Sequence, residues 1–329
     1  MSEPVNHLLF VDDDRHVLDG LMRLLRRRRG WKLTFAASGE AALQVLAEQP
    51  IDVVVTDMRM PGMDGAELLT LVQAQYPHVA RVVLSGHTED DAAIRSLTVA
   101  HQFLAKPCDT GMLTATLERL TAVPTADRAR RVRVAGVRVL PTPAASHDAL
   151  MALLHAAAPS AEPIARVVER DVALSARLLH AVSSPFFGHS GRYPSIGDAV
   201  VKLGTTLLRE LARCGALCRR VDGSEATRLE RANARAVGLG AAAAERVPER
   251  RADAYAAGLL HDIGPWVDDD ASAGRELLSL WGLPELIVDA EVAGASASDL
   301  AVRAAVVAAA AAAPHAIDAA AADAARVAS

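Results

Sequence analysis

The sequence predicts an α/β, doubly wound, five-stranded parallel sheet followed by an all-α domain. Over the first 120 residues, short apolar runs alternate with amphipathic stretches, which is typical of repeated βα units. Half of all residues are apolar, yet aromatic residues make up only 3%, and alanine is abundant, which favours closely packed helices. With 329 residues, the chain is long enough for two domains.

Five short apolar runs are the predicted strands. The third, "DVVVT", is an unbroken β-branched run, as expected of a strand that is buried on both faces. The first run is followed by acids, the fourth ends in serine and the fifth is followed by lysine. In chain order the predicted strands are residues 7–11, 32–36, 52–56, 81–85 and 102–105.

Amphipathic segments follow each of these runs. In the first, Val17, Leu18 and Leu21 recur on one helical face, and Ser38 is a plausible N-cap for the second. The predicted helices are residues 15–29, 39–49, 65–76, 92–97 and the segment after Asp109. This order predicts helices on both faces of a parallel sheet, with the ligand site at the carboxyl ends of the strands.

Polar side chains stand where the predicted strands end. Asp12 and Asp13 follow the first strand, Asp57 the third, Ser85 ends the fourth, and Lys106 follows the fifth. Crowded carboxylates repel one another and need a cation, and hard oxygen ligands select Mg²⁺. A carboxylate beside Mg²⁺ and lysine can attack a phosphoryl group, because both cations neutralise the transferring oxygens. Surface strand ends would explain any one of these residues, but not the set.

Four stretches resemble the receiver domain of bacterial two-component response regulators, which has a flavodoxin-like fold. They are "LLFVDDD", "DVVVTDMRMPGMDG", "VVLSGH" and "FLAKP", and they lie within a domain predicted over residues 1–121. The resemblance implies that Asp57 accepts a phosphoryl group from a phosphohistidine on a sensor histidine kinase. It implies Mg²⁺ bound by Asp12, Asp13, Asp57 and the backbone carbonyl of Arg59.

The same resemblance assigns roles at the last two strands. Ser85 would bind a phosphoryl oxygen, Lys106 would pair with it, and Phe103 would be the aromatic switch residue that follows Ser85. The Lys106-Pro107 peptide bond would be cis, a geometry that is accessible at low energy only for a bond that precedes proline. Dimerisation through the receiver's fourth and fifth helices is a habit of the family, so a homodimer remains an open alternative.

Beyond residue 121 the composition changes. Residues 122–145 contain scattered prolines and five arginines without clean periodicity, and we interpret them as a linker. Residues 146–329 form the second domain and are predicted to be helical almost throughout. The stretches "RDVALSARLLHAVSSPFFG", "SIGDAVVKLGTTLLREL", "AGLLHDIG" and "SLWGLPELI" resemble the HDOD domain, a relative of the HD phosphohydrolases.

A working HD site resembling that superfamily needs an upstream histidine, a His-Asp pair and a downstream aspartate, which together enclose metal ions. Here the pair is His261-Asp262, but no histidine lies between His189 and His261, and relatives often carry one near Ala232 or Asn233. We therefore interpret His261 and Asp262 as a degenerate HD pair, buried and pinning two helices, and expect no cofactor in this domain.

The leading hypothesis is a cytoplasmic response regulator that is phosphorylated on Asp57 and signals to a downstream protein through a non-catalytic HDOD domain. The alternative is a receiver-controlled, HD-type metal-dependent phosphodiesterase acting on a cyclic dinucleotide. A net charge of −5 and the lack of a helix-turn-helix pattern argue against direct DNA binding. Neither a signal peptide nor a membrane span is predicted, and the three cysteines fit reduced thiols.

Overall fold

The computed structural model describes residues 5–86, 97–122, 128–183, 195–261, 263–267, 271–288 and 305–307. These residues fall into two compact units. The first extends to Arg138 and takes in two short later segments, which begin at His180 and Ser279. The second begins at Val139 and comprises the rest.

The first unit is built on a sheet of five parallel strands. Its spatial order is β2-β1-β3-β4-β5, so the chain winds outward in both directions from the centre. Val53, Val54 and Val55 of β3 are almost fully buried, as the unbroken apolar run predicted. The predicted fold class is confirmed, with β1 at Asn6–Val11, β2 at Trp31–Ala36, β3 at Val53–Asp57, β4 at Ala80–Ser85 and β5 at Gln102–Ala105.

In the part of the chain that the structure describes, four helices directly follow strands of the sheet, and their starts are capped by side chains. The Ser38 hydroxyl accepts a hydrogen bond from the Ala41 amide at 3.2 Å, as the sequence predicted, and Asp64 and Glu67 form a capping box. The helices are α1 at Arg15–Leu25, α2 at Gly39–Glu48, α3 at Gly65–Gln75 and α4 at Thr110–Ala122. The helix predicted over 92–97 lies outside the described residues except at Leu97, and residues 97–99 are helical.

The interpretation of residues 122–145 as a linker needs correction at its centre. Residues Arg128–Ala135 form a helix, α5, which belongs to the first unit. Val134 and Ala135 are fully buried, and Arg131 is only 3% exposed. The arginine-rich composition suggested a solvated segment, but arginine can be buried where its N–H groups find acceptors.

The second unit is mainly helical, but it also contains a short parallel strand pair that the sequence did not predict. β6, Pro141–Pro143, pairs with β7, Arg219–Val221. The helices that follow α5 in the described residues are α6 at Ala144–Leu154, α7 at Ala161–Val168, α8 at Val172–Val182, α9 at Ile196–Arg213, α10 at Gly223–Arg246, α11 at Arg251–Leu260, α12 at Gly264–Val267, α13 at Ala271–Leu280 and α14 at Glu285–Val288. The last residues of α8 and α13 fall in the first unit.

Close contact between α10 and α11 organises this unit. A Cβ atom on Gly258 would lie 2.7 Å from the Cα of Gly240, so the two backbones meet where neither residue has a side chain. Tyr255, three residues before Gly258, donates a hydrogen bond to the carbonyl of Glu169 at 2.8 Å. None of the helices within the described ranges combines the length and apolar character that a membrane crossing requires.

Candidate functional site

The carboxyl-terminal ends of β1, β3 and β5 lie side by side at one end of the parallel sheet, which we call the carboxyl edge. Val11, at the end of β1, pairs with Thr56, so Asp12 and Asp57 follow at the same level of the sheet. Asp57 in turn is level with Leu84 of β4, and Ser85 with Ala105 of β5. Lys106 comes next in the chain, and the predicted set of residues therefore shares this edge.

Lys106 joins the two carboxylates. Its ammonium group donates to Asp12 Oδ2 at 2.7 Å and to Asp57 Oδ1. The remaining oxygens are bound by the backbone: the amide of Asp14 donates to Asp12 Oδ1 at 2.9 Å, and the amide of Arg59 donates to Asp57 Oδ2 at 2.7 Å. Each carboxylate is thus held at both oxygens, which fixes its orientation.

The acids of this cluster are buried, whereas its cation is partly open. Asp12 is 3% exposed and Asp57 8%, while the Lys106 side chain is 27% exposed. Burial by itself lowers the pKa of Lys106, but the hydrogen bonds to Asp12 and Asp57 outweigh it and raise the pKa above its ordinary value. Lys106 is therefore charged at neutral pH and balances the carboxylates.

The backbone around Asp57 leaves room for this arrangement. The Gly65 amide donates to the carbonyl of Met58 at 3.0 Å, and a Cβ on Gly65 would lie 2.2 Å from the carbonyl oxygen of Asp57. Only glycine fits at this first residue of α3. At the neighbouring strand end, the Lys106-Pro107 peptide is cis, as predicted, and the Lys106 amide donates to the Ser85 carbonyl at 2.7 Å.

The other predicted residues lie around this cluster. Asp13 is exposed beside Asp12, Ser85 is half-buried at the end of β4, and Phe103 is buried on β5 opposite Val83. The sequence prediction named the carbonyl of Arg59 as a ligand and missed its amide, which binds Asp57. Nothing in the residue type signals a backbone donor.

The oxygens of Asp12 and Asp57 lie together at this edge, but no group of three or more acidic, histidine or cysteine side chains within the described residues is placed to hold a metal ion. Two buried carboxylates converge on one ammonium group, and the exposed Asp13 adjoins them. Oxygen ligands of this kind suit Mg²⁺, which keeps several waters and takes only a few carboxylates from the protein. The resemblance to receiver domains implies that Asp12, Asp13 and Asp57 would hold it.

The degenerate HD pair is placed differently from its prediction. His261 is exposed, at the C-cap of α11, and its amide donates to the carbonyl of Gly258 at 3.4 Å. The interpretation of a buried pair that pins two helices is therefore wrong for His261, because a residue at the end of a helix can point into solvent. Asp262 lies outside the described residues.

A second acid-centred cluster, which the sequence analysis missed, lies in the second unit. Asp171 is fully buried immediately before α8. Its Oδ2 accepts from the Asn233 side chain at 3.1 Å, and its Oδ1 accepts from the Leu174 amide at 3.0 Å and from the Thr142 hydroxyl at 3.4 Å. The Asn233 carbonyl oxygen accepts from the Val172 amide at 2.9 Å.

Both functional groups of Asn233 are used in this cluster. The side chain lies in the region where the resemblance to HD proteins led us to expect a histidine, near Ala232 or Asn233, and it connects α10 to the start of α8. Burial raises the pKa of Asp171, and the hydrogen bonds it accepts oppose that rise. The cluster therefore stabilises the start of α8, as a helix cap does.

Comparison with protein families agrees with both halves of this description. The family model of the response regulator receiver domain matches residues 8–118, and that of the HDOD domain matches residues 140–267. The receiver match contains every residue of the Lys106 cluster, and the HDOD match contains Asp171 and Asn233.

Known proteins resemble the first part of the chain. The hydrogenase transcriptional regulatory protein HoxA of Cupriavidus necator is 33% identical over 109 residues, which are 32% of this chain and 22% of HoxA. The transcriptional regulatory protein GlrR of Escherichia coli is 36% identical over 113 residues, 33% of this chain and 24% of GlrR. The chain thus spans about a quarter of the length of these curated relatives.

Solved structures match over the same region. The signal receiver domain of an HD domain-containing protein from Pseudomonas fluorescens Pf-5 is 29% identical, with a TM-score of 0.35, over 36% of this chain and 95% of that one. A response regulator receiver domain from Clostridium thermocellum is 30% identical, with a TM-score of 0.34 and the same coverage. The two family matches show that this chain contains a response regulator receiver domain over residues 8–118, followed by an HDOD domain over residues 140–267.

Proposed function

We propose that this protein is phosphorylated on Asp57 by a sensor histidine kinase and signals through a non-catalytic HDOD domain that binds a downstream protein. The observation that supports this most directly is the pairing of Asp57 and Asp12 through Lys106 at the carboxyl edge of the sheet. A carboxylate held next to a fixed cation is suited to accept a transferring anionic group.

In the proposed reaction, an Asp57 carboxylate oxygen attacks the phosphorus of a phosphohistidine. The new P–O bond forms as the P–N bond breaks, and the imidazole leaves with the bonding pair and takes a proton from solvent. The Arg59 amide, 2.7 Å from Asp57 Oδ2, holds the carboxylate plane while the other oxygen faces Lys106. This positioning reduces the entropy cost of the attack.

Charge balance is the second part of the mechanism. Lys106 stays protonated and can move from Asp57 Oδ1 to an oxygen of the incoming phosphoryl group, while its bond to Asp12 keeps it in place. Ser85, at the end of the adjoining strand, would bind another phosphoryl oxygen. Asp12, Asp13 and Asp57, with the Arg59 carbonyl, would hold Mg²⁺, which would supply further neutralisation of the transferring oxygens.

The proposed output is binding rather than catalysis. Asn233, where a metal-binding histidine would be expected, is fully engaged with Asp171 and Val172, which supports a structural role for that position. A module without its own chemistry can still signal if its surface changes partner affinity when the receiver changes state.

Phosphorylation of Asp57 can be tested directly. The full chain is incubated with acetyl phosphate and Mg²⁺, and an added phosphoryl group is sought by intact-mass spectrometry. We expect one group per chain in the wild type and in Asp19→Ala, an exposed acid on α1 outside the cluster, and none in Asp57→Ala. Absence of uptake in the wild type, or equal uptake in Asp57→Ala, would contradict the proposal.

The non-catalytic output has its own test. Purified full-length protein, phosphorylated and unphosphorylated, is loaded with Mn²⁺ or Fe²⁺ and incubated with cyclic dinucleotides. We expect no turnover above the rate of a His261→Ala variant. Metal-dependent hydrolysis that this variant loses would favour the phosphodiesterase alternative instead.

A further inference from the structure

Helix α5 is hydrogen-bonded to the end of the sheet where the strands begin, which is the end opposite the Lys106 cluster. Three side chains make this attachment, and we call them the carbonyl clamp: Arg131 on α5, Arg81 at the start of β4, and His101 just before β5. All three are at most 3% exposed. Their hydrogen-bonding partners include backbone carbonyls at this edge.

Arg131 reaches from α5 to the chain ahead of two strands. Its Nε donates to the carbonyl of His78 at 3.1 Å, and its Nη2 donates to the carbonyl of Asp52 at 3.3 Å. Asp52 immediately precedes β3, and His78 lies two residues before β4. A helix side chain thus binds the entry points of both strands.

Arg81 makes the reciprocal contact from the sheet to α5. Its guanidinium donates to the carbonyl of Ala135 at 3.0 Å, near the end of α5, and to those of Val99 at 2.6 Å and Val79 at 3.1 Å. Each of its three nitrogens therefore has a carbonyl partner. A buried guanidinium requires such partners, because unpaired charge is costly in the interior.

His101 closes the clamp at the start of β5. The Arg81 amide donates to His101 Nδ1 at 3.0 Å, so Nε2 carries the hydrogen and donates to the Ala135 carbonyl at 3.0 Å. Burial, together with the charge of Arg81, lowers the pKa of His101 well below its ordinary value. The imidazole is therefore neutral, as this hydrogen-bonding pattern requires.

The clamp and the Lys106 cluster lie at opposite ends of the same three strands. β3 runs from beside Asp52 to Asp57, β4 from beside Arg81 to Ser85, and β5 from beside His101 to Lys106. At about 3.3 Å per residue, four to six residues span roughly 13–20 Å. A paired strand resists stretching, so a shift at one end displaces the other.

We propose that α5 is the element that couples the phosphorylation state of Asp57 to the chain that enters the HDOD domain. The inference rests on the proposed phosphorylation of Asp57. Displacement of β4 and β5, as Ser85 and Lys106 turn to the phosphoryl group, shifts Arg81 and His101 relative to α5 and changes how firmly the helix is docked. Only residues 136–138 separate α5 from the start of the second unit at Val139.

The chemistry of the clamp favours a discrete change over a gradual one. A guanidinium held by several carbonyls in a dry interior cannot lose one of them without leaving charge uncompensated. Released from the edge, the same group is hydrated. The helix therefore has two favourable states, docked on the sheet and released from it, as a switching element requires. Because coupling is reciprocal, weakening the clamp must also alter phosphorylation at Asp57.

Hydrogen exchange of the full chain tests this coupling. Peptides covering residues 128–138 are followed by mass spectrometry before and after treatment with acetyl phosphate and Mg²⁺, and intact mass reports phosphorylation in the same samples. We expect at least a threefold change in the exchange rate of these amides in the wild type and none in Asp57→Asn. Arg131→Met should raise exchange of α5 without phosphate and alter the rate of phosphate uptake at least threefold.

Arg133→Met is the matched control, since Arg133 lies on the same helix but is exposed, and it should leave both readouts unchanged. If Arg131→Met fails to fold by circular dichroism, Val134→Ala, a milder change on the buried face of α5, replaces it. Normal phosphate uptake with unchanged exchange of residues 128–138 overturns the coupling but leaves the proposed function intact. Absence of uptake overturns both.

Discussion

Two acids in this molecule are similarly buried but differ in what surrounds them. Asp57 faces the charged and partly exposed Lys106, whose ammonium group donates a hydrogen bond to Asp57 Oδ1. Asp171 is enclosed by neutral donors from Asn233, Leu174 and Thr142. The first arrangement can exchange a partner at its surface, whereas the second cannot do so without exposing buried groups.

The comparison distinguishes a buried acid that is placed to react from a buried acid that stabilises the fold. A side chain that accepts a group must have an oxygen whose partner can be shared, and the partly exposed Lys106 provides this. A capping carboxylate instead loses stability when any partner is removed. Alteration of the Lys106 cluster should therefore affect chemistry more than folding, and alteration of the Asp171 cluster the reverse.

The largest expected effect is on stability, at Asp171. Replacing Asp171 with alanine leaves the Asn233 amide and the Leu174 N–H buried without their acceptor, and at about 1–3 kcal/mol for each such group the free energy of unfolding should fall by about 4 kcal/mol. Denaturant unfolding of the full chain, followed by circular dichroism, measures this. The exposed Asp148→Ala is the control and should lose far less; equal losses would refute the structural role.

The second-largest expected effect is on the rate at which Lys106→Met is phosphorylated. This change removes the cation between Asp12 and Asp57, and loss of one such charge-stabilising donor typically lowers a rate about 100-fold. The rate of phosphate uptake from acetyl phosphate, read by intact mass, reports the effect. Lys32→Met removes an exposed lysine from the same domain and should leave the rate unchanged. A Lys106→Met rate within twofold of the wild type would show that charge balance at this edge is unimportant.

Sequence patterns predicted the sheet and its polar edge because both depend on local regularities. Buried parallel strands need continuous apolar runs, and parallel strands place their ends together, so Asp12, Asp57, Ser85 and Lys106 could be grouped from their positions alone. The resemblance to receiver domains added roles for these residues. Family matches then confirmed the two domains.

What the sequence could not predict depends on tertiary partners. Arg131 has the composition of a solvated linker, and only the carbonyls of Asp52 and His78 make its burial favourable. Asn233 has no motif that links it to Asp171, sixty-two residues away in the chain. The exposure of His261 follows from the end of α11, which a His-Asp motif does not locate.

A steric prediction sharpens the comparison at the phosphorylation edge. In Gly65→Ala the new Cβ would meet the Asp57 carbonyl oxygen at 2.2 Å, so the backbone must shift, at a cost of about 2 kcal/mol in unfolding free energy. Phosphate uptake should slow as well, because Asp57 moves. Gly20→Ala, in α1 with no atom within 4 Å of the added carbon, should be neutral or stabilising. Identical behaviour of the two variants would mean that the turn before α3 adapts freely.

The smallest effect concerns the pH dependence that the buried Asp171 imposes. Burial raises its pKa in the folded protein, so between the ordinary value near 4 and the raised value only the folded state holds the proton. Stability contributed by this group therefore decreases as pH rises through that window. Asp171→Asn has no such proton.

Unfolding free energies of wild type and Asp171→Asn, measured from about pH 4 to pH 7, isolate this contribution. The advantage of the wild type over the variant should shrink as pH rises, because the folded wild type loses its extra proton over this window. The constant part of the difference reports the altered hydrogen bonds to Asn233, and only the slope reports the proton. A flat difference would show that the surrounding donors cancel the effect of burial, and a widening one that they exceed it.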